Sequence, residues 1–214
     1  MRYVRTNSVL LFMLFVLAAG DLLSSIACSN RISQSGGVAQ TGIASWYGHP
    51  FDGRLTANGE VYDMEKLTAA HRTFPFGTVL RVENVANHKT VEVRINDRGP
   101  FVQGRIIDLS HAAAQTIAMP GIANVQLEVL SAPATRGAEL YAVQLQGFSQ
   151  KADAERLRDK MQQEYGIARI VYRSTDQTWR VLVGLESNIE AANTLEQKLE
   201  KEGEPGFVVM IDED

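Results

Sequence analysis

The sequence predicts two domains of different class, a mainly β domain followed by an α+β domain. Three observations predict this. Residues 42–130 carry short runs in which apolar and polar side chains alternate, broken by Gly-, Asn- and Pro-containing turns, which is the composition of a small β-barrel. Residues 139–214 instead read strand, helix, strand, strand, helix, strand. A length of 214 residues suits two small domains better than one large one, and a hydrophobic content of 45% is ordinary for chains that bury a core.

Residues 1–27 stand apart from both domains. Arg2 and Arg5 precede an apolar run over 9–19, too short to span a bilayer comfortably and suited to the core of a signal peptide. Cys28 is the sole cysteine, so no intrachain disulfide exists. Its place after Ala27 suggests a lipid-modified N-terminus and a membrane attachment through that anchor alone. Ser25 stands where leucine is usual and Asp21 interrupts the apolar stretch, and Ser25-x-Ala27 equally suits ordinary secretory cleavage. Residues 28–41, small and polar, read as the N-terminus and a tether. The whole chain has a net charge of −4; without Arg2, Arg5 and Asp21 it holds 19 basic against 24 acidic side chains, a net −5. An acidic protein has no long-range attraction for nucleic acid, whereas a neutral polysaccharide is a compatible partner.

In the first domain, residues 78–82, 90–95 and 124–130 alternate as strands. A helix is expected over 110–118, with Ser110 as its cap and Pro120-Gly121 ending it. Residues 131–138 form a short linker, which brings the two domains close together. In the second domain, Tyr141, Val143 and Leu145 alternate with polar neighbours. Ala154, Leu157, Met161 and Tyr165 recur at helical spacing until Gly166. Strands over 167–172 and 179–184 flank a turn around Asp176. Ser187-x-x-Glu190 reads as a capping box that opens a second helix, with Ala192, Leu195 and Leu199 inward and Gly203 at its end. Residues 207–211 close the sheet.

The stretch 71–110 carries the chemistry. Val91, Val93 and Ile95 point one way and Glu92 and Arg94 the other, and this strand runs into the turn formers Asn96-Asp97-Arg98-Gly99-Pro100. A carboxylate at a strand end is held rigidly and still reaches a cleft. By spacing alone, Asp97 could equally cap that turn, as aspartate often does.

The segments GIASWYG (42–48), TANGEVYD (56–63), LTAAHRTFPFGT (67–78), VRINDRGPF (93–101) and RIIDLSHAAA (105–114) resemble the rare lipoprotein A (RlpA) family. YAVQLQGFSQKADAERL and TWRVLVGLESNIEAA resemble SPOR domains, βαββαβ modules that bind peptidoglycan stripped of its peptides at division sites. The resemblance implies a double-psi β-barrel over 42–130 followed by a SPOR domain over 139–214. It also implies lytic transglycosylase activity on peptidoglycan, preferring glycan strands without stem peptides. Such an enzyme resides in the cell envelope: periplasmic, anchored to the outer membrane as a lipoprotein through Cys28, enriched at the septum, with division proteins as further partners.

A transglycosylase of this type needs one carboxyl group. The C6 hydroxyl of the muramic acid ring closes onto its own C1, so the nucleophile is already tethered, and one group can serve first as acid and then as base. Asp97 matches the family's catalytic aspartate. To act as an acid it must be partly dehydrated, and Arg98 would oppose this unless its side chain points away. His71 matches a functional histidine that could orient the Asp97 carboxylate or bind the acetamido or lactyl groups; a lone histidine is also often a hydrogen-bonded structural one. Glu60 matches a functional position too, as a second acid/base or sugar ligand, or else as an exposed loop glutamate. Asp108 and Ser110 are expected to brace the barrel and cap the helix. Trp46 and Tyr47 either stack on a sugar face or belong to the core. In the second domain, Gln144 and Trp179-Arg180 match positions that line the glycan-binding sheet surface; by alternation only one of Trp179 and Arg180 shares Gln144's face, and Gln144 and Arg180 are taken as the binding pair.

No HxxxH, CxxC, phosphate-binding glycine loop or G-x-S-x-G elbow occurs, so no metal, cofactor, nucleotide or serine-hydrolase chemistry is expected. The rival reading is a non-catalytic, expansin-like peptidoglycan-binding envelope protein. It differs from the enzyme in whether Asp97, His71 and Glu60 line one cleft.

Overall fold

The computed structural model of the protein describes residues 38–134 and 138–211. Cys28 and the signal segment lie outside the described residues. Six strands close into a barrel in the order β1-β5-β2-β4-β3-β6: β1 (Val38–Tyr47), β2 (Thr68–His71), β3 (Val79–Asn84), β4 (Thr90–Asp97), β5 (Arg105–Ser110) and β6 (Ala123–Ser131). The pairs β1–β5 and β2–β4 are parallel and the others antiparallel, as in a double-psi barrel. Alternation sets the interior: Val91, Val93 and Ile95 of β4 are buried, and they meet Leu80 and Val82 of β3, Ile107 and Leu109 of β5, and Val125 and Leu127 of β6. Each such side chain contributes about 1.5–3 kcal/mol by leaving water. Helix α1 (His111–Thr116) packs Ala113 and Ala114 against this core, and Ser110 Oγ accepts the Ala113 N–H as its cap.

Strand β1 begins at Val38, within the segment that composition marks as tether. Its backbone pairs with β6, Gly42 opposite Val125 and Thr41 opposite Gln126, so hydrogen bonds extend the strand where side chains give no apolar signal. Gly42 is required there, because a Cβ would stand 2.8 Å from the Ile106 side chain.

The second sheet has the order β10-β7-β9-β8, from β7 (Leu140–Phe148), β8 (Ala168–Arg173), β9 (Thr178–Glu186) and β10 (Phe207–Ile211). Helices α2 (Lys151–Tyr165) and α3 (Ile189–Lys201) complete the βαββαβ order. They cover one face, where Tyr141, Val143, Leu145, Val181 and Val183 meet Ala154, Met161 and Leu199. The cap of α3 corrects the sequence reading. Asn188, not Ser187, is the N-cap, and its Oδ1 accepts the Ala191 N–H at 2.8 Å. Asparagine caps as well as serine does, so two adjacent candidates compete and the backbone turns at the second.

The other face of the sheet is also buried. Ala142, Leu182 and Val209 form a small cluster with Phe101, a barrel residue that follows β4. The edge strand joins in, the Met210 N–H donating to the Arg72 carbonyl at 2.9 Å. The β8–β9 turn reaches the barrel as well. Arg54 Nη1 donates to the Thr175 carbonyl at 3.0 Å, and Thr175 Oγ1 lies 2.9 Å from the Leu55 carbonyl. Barrel and sheet thus belong to one compact unit, as the short linker implies.

Candidate functional site

Asp97 ends β4, where the strand leaves the barrel wall. Gly99 follows at φ 142°, a conformation open to glycine but strained for other residues, and a Cβ there would meet the Arg173 guanidinium and the Phe101 ring at 3.6 Å. Asp97 is 1% exposed. Its Oδ1 accepts the Arg98 N–H at 2.8 Å and the Ala57 N–H at 3.0 Å. Its Oδ2 lies 3.3 Å from Thr175 Oγ1 and 3.4 Å from Arg173 Nη2, both on the β8–β9 hairpin of the second domain. One oxygen is therefore fixed by barrel backbone, and the other meets the neighbouring domain.

The Arg98 side chain does turn away. Its guanidinium donates to the His71 and Phe74 carbonyls at 3.2 and 2.9 Å and lies 3.8 Å over the Phe76 ring.

Asp97 borders a cavity of about 310 Å³. Trp46, Tyr47, Phe51 and Phe101 give it aromatic walls, and Asp108, Arg105, Arg173 and Arg180 give it charge. Trp46 is 36% exposed, with its indole N–H 3.4 Å from the Pro120 carbonyl and its ring 5.3 Å from that of His111. Tyr47 is buried and stacked on Tyr62 at 4.3 Å. Burial, with Asp97 nearby, pushes its phenol well above the usual range. Both aromatics thus border the cavity, Trp46 on its exposed side and Tyr47 as part of the packing.

Asp108 is the group that sequence reasoning underweighted. It lines the same cavity as Asp97, accepts the Ser45 hydroxyl and stands 3.7 Å from Arg105. Burial raises its carboxyl above the usual range, against the lowering effect of the Ser45 hydrogen bond. The available signal was its position in RIIDLS, out of phase with the buried Ile107 and Leu109.

His71 and Glu60 are not brought to this cavity, so the three residues do not line one cleft, and that criterion does not favour the enzyme over the expansin-like binder. The His71 ring is 3% exposed, and its Nδ1 accepts the Thr73 and Phe74 N–H groups, each at 3.1 Å. Its Nε2 therefore carries the proton and donates to Gln40 Oε1 at 2.9 Å. Burial, with Arg72 and Arg98 nearby, pulls its pKa down to about 3. It is a neutral ring that ties off the turn after β2, because β2 alternation gives the cavity to Ala70 and turns His71 the other way.

Glu60 makes a two-pronged bond to Arg94, at 2.9 and 2.7 Å, and accepts from Asn96 Nδ2 at 3.2 Å. The Arg94 bond holds its pKa at about 2, so near neutral pH it has no proton to give. These contacts pin the 56–60 loop, which supplies the Ala57 N–H to Asp97.

Gln144 pairs with Leu182 across β7 and β9, and Arg180 shares that face, opposite Trp179. The face is not the open surface expected of it. Gln144 is 5% exposed, its Nε2 has no partner among the described residues, and Leu182 beside it packs toward Phe101. Arg180 is bound to Asp176 and Thr178 and lies 5.1 Å over the Phe101 ring. Among the described residues no three His, Cys, Asp or Glu side chains gather as metal ligands.

The comparisons with known proteins agree with this architecture. Residues 39–129 match the model of the family described as lytic transglycolase, and residues 137–209 match that of the SPOR domain. An endolytic peptidoglycan transglycosylase RlpA of Vibrio cholerae is 38% identical over 177 residues, covering 78% of this chain and 67% of the relative. The protein of that name in Campylobacter jejuni is 55% identical over 96 residues, covering 44% of this chain and 35% of the relative. The one in Helicobacter pylori strain J99 is 38% identical over 189 residues, covering 73% and 60%.

Proposed function

The chain belongs to the rare lipoprotein A (RlpA) family, and we propose that it is a peptidoglycan lytic transglycosylase in which Asp97 is both acid and base. One observation carries this reading: Asp97 is a dehydrated carboxyl at a strand end, and it borders a cavity with aromatic walls large enough for a sugar ring. Protonated Asp97 gives its proton to the bridging oxygen between N-acetylmuramic acid and N-acetylglucosamine as the bond to C1 breaks. The resulting carboxylate takes the proton of the C6 hydroxyl while O6 bonds to C1, which leaves a 1,6-anhydro end and restores the acid. Oδ1, held by two backbone N–H groups, fixes the carboxyl, and Oδ2 is the oxygen that exchanges the proton. Trp46 and Tyr47 supply apolar surface to a ring, and Asp108 and Ser45 supply hydrogen-bonding atoms beside it.

In this reading Glu60 and His71 serve at a distance. Glu60 holds the loop that supports Asp97, and His71 holds the turn to which Arg98 is bonded. The preferred substrate is a glycan strand without stem peptides. The second domain binds the same polymer and brings the enzyme to the septum, and Gln144 and Arg180 become its contacts only where the barrel leaves that face of the sheet. Lipidation at Cys28 attaches it to the outer membrane.

Purified sacculi stripped of stem peptides test the reading. The wild type is expected to release 1,6-anhydro products, and Asp97→Asn, nearly isosteric but without an ionisable group, to release none while still binding. If the wild type releases no such product, the chain is a wall binder of the expansin kind and not an enzyme; if Asp97→Asn releases as much as the wild type, Asp97 is not the acid.

A further inference from the structure

The cavity beside Asp97 is built by both domains, and two of its cations are poorly bonded. Arg180 is fully engaged by Asp176, Thr178 and the Phe101 ring. Arg173 also lies 4.8 Å over the Phe101 ring, but neither it nor Arg105 makes a close carboxylate bond. Arg105 stands 3.7 Å from Asp108, and Arg173 stands 3.4 Å from Asp97, whereas a guanidinium–carboxylate bond is ordinarily about 2.7–2.9 Å. The Nε–H groups of both are buried and have no acceptor among the described residues, and the Tyr47 hydroxyl on the same wall has none either. A buried donor without an acceptor costs about 1–3 kcal/mol, more when charged, so the arrangement suits a cavity that is completed by a ligand bearing an acceptor. A guanidinium presents its donors as a planar fork that fits a carboxylate.

We propose that Arg105 and Arg173 form a carboxylate-reading subsite that takes the free lactyl carboxylate of a muramic acid residue whose stem peptide has been removed. The inference rests on peptidoglycan being the substrate. In a strand that still carries its peptides, the lactyl group ends in a neutral amide, which offers no charge to the two guanidinium groups and brings a peptide into a cavity of about 310 Å³. The stripped strand offers an anion at that place. Its carboxylate also competes with Asp97 for Arg173, drawing a cation away from the reacting group. Arg173 belongs to the second domain, so that domain takes a direct part in selecting the bond to be cut, besides any binding on its own surface.

The test is equilibrium binding of a matched pair of muramyl oligosaccharides, one with free lactyl carboxylates and one with the same groups as methyl esters. Both are titrated into the full chain carrying Asp97→Asn, so that no turnover intervenes. The acid is expected to bind about tenfold or more tightly than the ester, the value of a charged hydrogen-bonded contact. Adding Arg173→Gln or, separately, Arg105→Gln should bring that ratio toward one. Two independent variants guard against one that misfolds. Equal binding of acid and ester, or a ratio that survives both substitutions, overturns the subsite. Because binding is the readout, the outcomes separate. If the Asp97→Asn chain prefers the acid through these arginines while the wild type never yields 1,6-anhydro ends from stripped sacculi, the subsite stands and the enzyme falls. If the Asp97→Asn chain binds acid and ester equally while the wild type yields those ends, the enzyme stands and the subsite falls.

Discussion

Acid should loosen this protein through His71 before its ion pairs are touched. The imidazole is buried and neutral, accepting two backbone N–H groups on Nδ1 and donating from Nε2 to Gln40. Its pKa lies at about 3 in the folded chain, against an ordinary value near 6.5. Between these values the unfolded chain binds a proton that the folded chain refuses, so stability falls as pH falls. Lowering the pH from 7 to 5 should then cost about 2 kcal/mol, since each pH unit below the unfolded pKa is worth about 1.4 kcal/mol. Glu60 contributes in the same direction only below its ordinary carboxyl range, while Asp108 and Glu196, whose carboxyls burial raises, act in the opposite direction, so the slope is read as the difference between wild type and the His71 variant. Denaturant midpoints measured at several pH values give the slope, and NMR titration of the ring protons gives the folded pKa. His71→Leu should lower stability at pH 7 by roughly 2–4 kcal/mol, by leaving the Thr73 and Phe74 N–H groups without an acceptor, and should flatten the slope between pH 5 and 7. A ring that titrates near 6.5 in the folded protein, or an unchanged slope in the variant, would refute the structural assignment and return His71 to the list of proton carriers.

Two further outcomes follow from single contacts. Asn188→Ala should destabilise the chain by about 1 kcal/mol through loss of the α3 cap, while Ser187→Ala should leave the thermal midpoint within error. Glu60→Gln should cost under about 1 kcal/mol, because both members of the Arg94 pair are substantially exposed. Its larger effect should be a fall in the rate of anhydro-product release from stripped sacculi, since the loop that donates to Asp97 is loosened; an unchanged rate would leave Glu60 no part in positioning that loop.

How much of this was legible in the sequence depends on who covers each side chain. Strand β4 is readable because one face meets the core and the other water, and Val91, Val93 and Ile95 are buried while Glu92 is exposed. Strand β2 is not, because both of its faces are covered, Ala69 by the barrel core and Ala70 by Tyr47 and Tyr62, and all four of its residues are buried, which erases alternation. The turn after β4 marks Asp97 as a rigid carboxyl, but the groups around its outer oxygen come from 76 and 78 positions further along the chain. His71 is the same case in reverse. Its identity is plain, yet the partner that fixes its tautomer, Gln40, lies 31 positions earlier in a segment that looks like a tether. Local pattern finds elements and candidate groups, while their protonation and neighbours are set by the closure of the barrel. Alternation likewise allows only one of Trp179 and Arg180 on Gln144's face; the pairing of Gln144 with Leu182 makes it Arg180, and nothing in the strand itself announces that Phe101 will lie over that side of the sheet.

That aromatic lid has a cost for any polymer seeking the same ground. A patch cannot be dry beneath a phenyl ring and wet with polysaccharide at once, so a glycan settling on the sheet around Leu182 and Val209 must evict the barrel first. A glycan attached through that surface would carry Arg173 and Thr175 away from Asp97, so the sheet cannot hold polymer there and complete the cavity at the same moment.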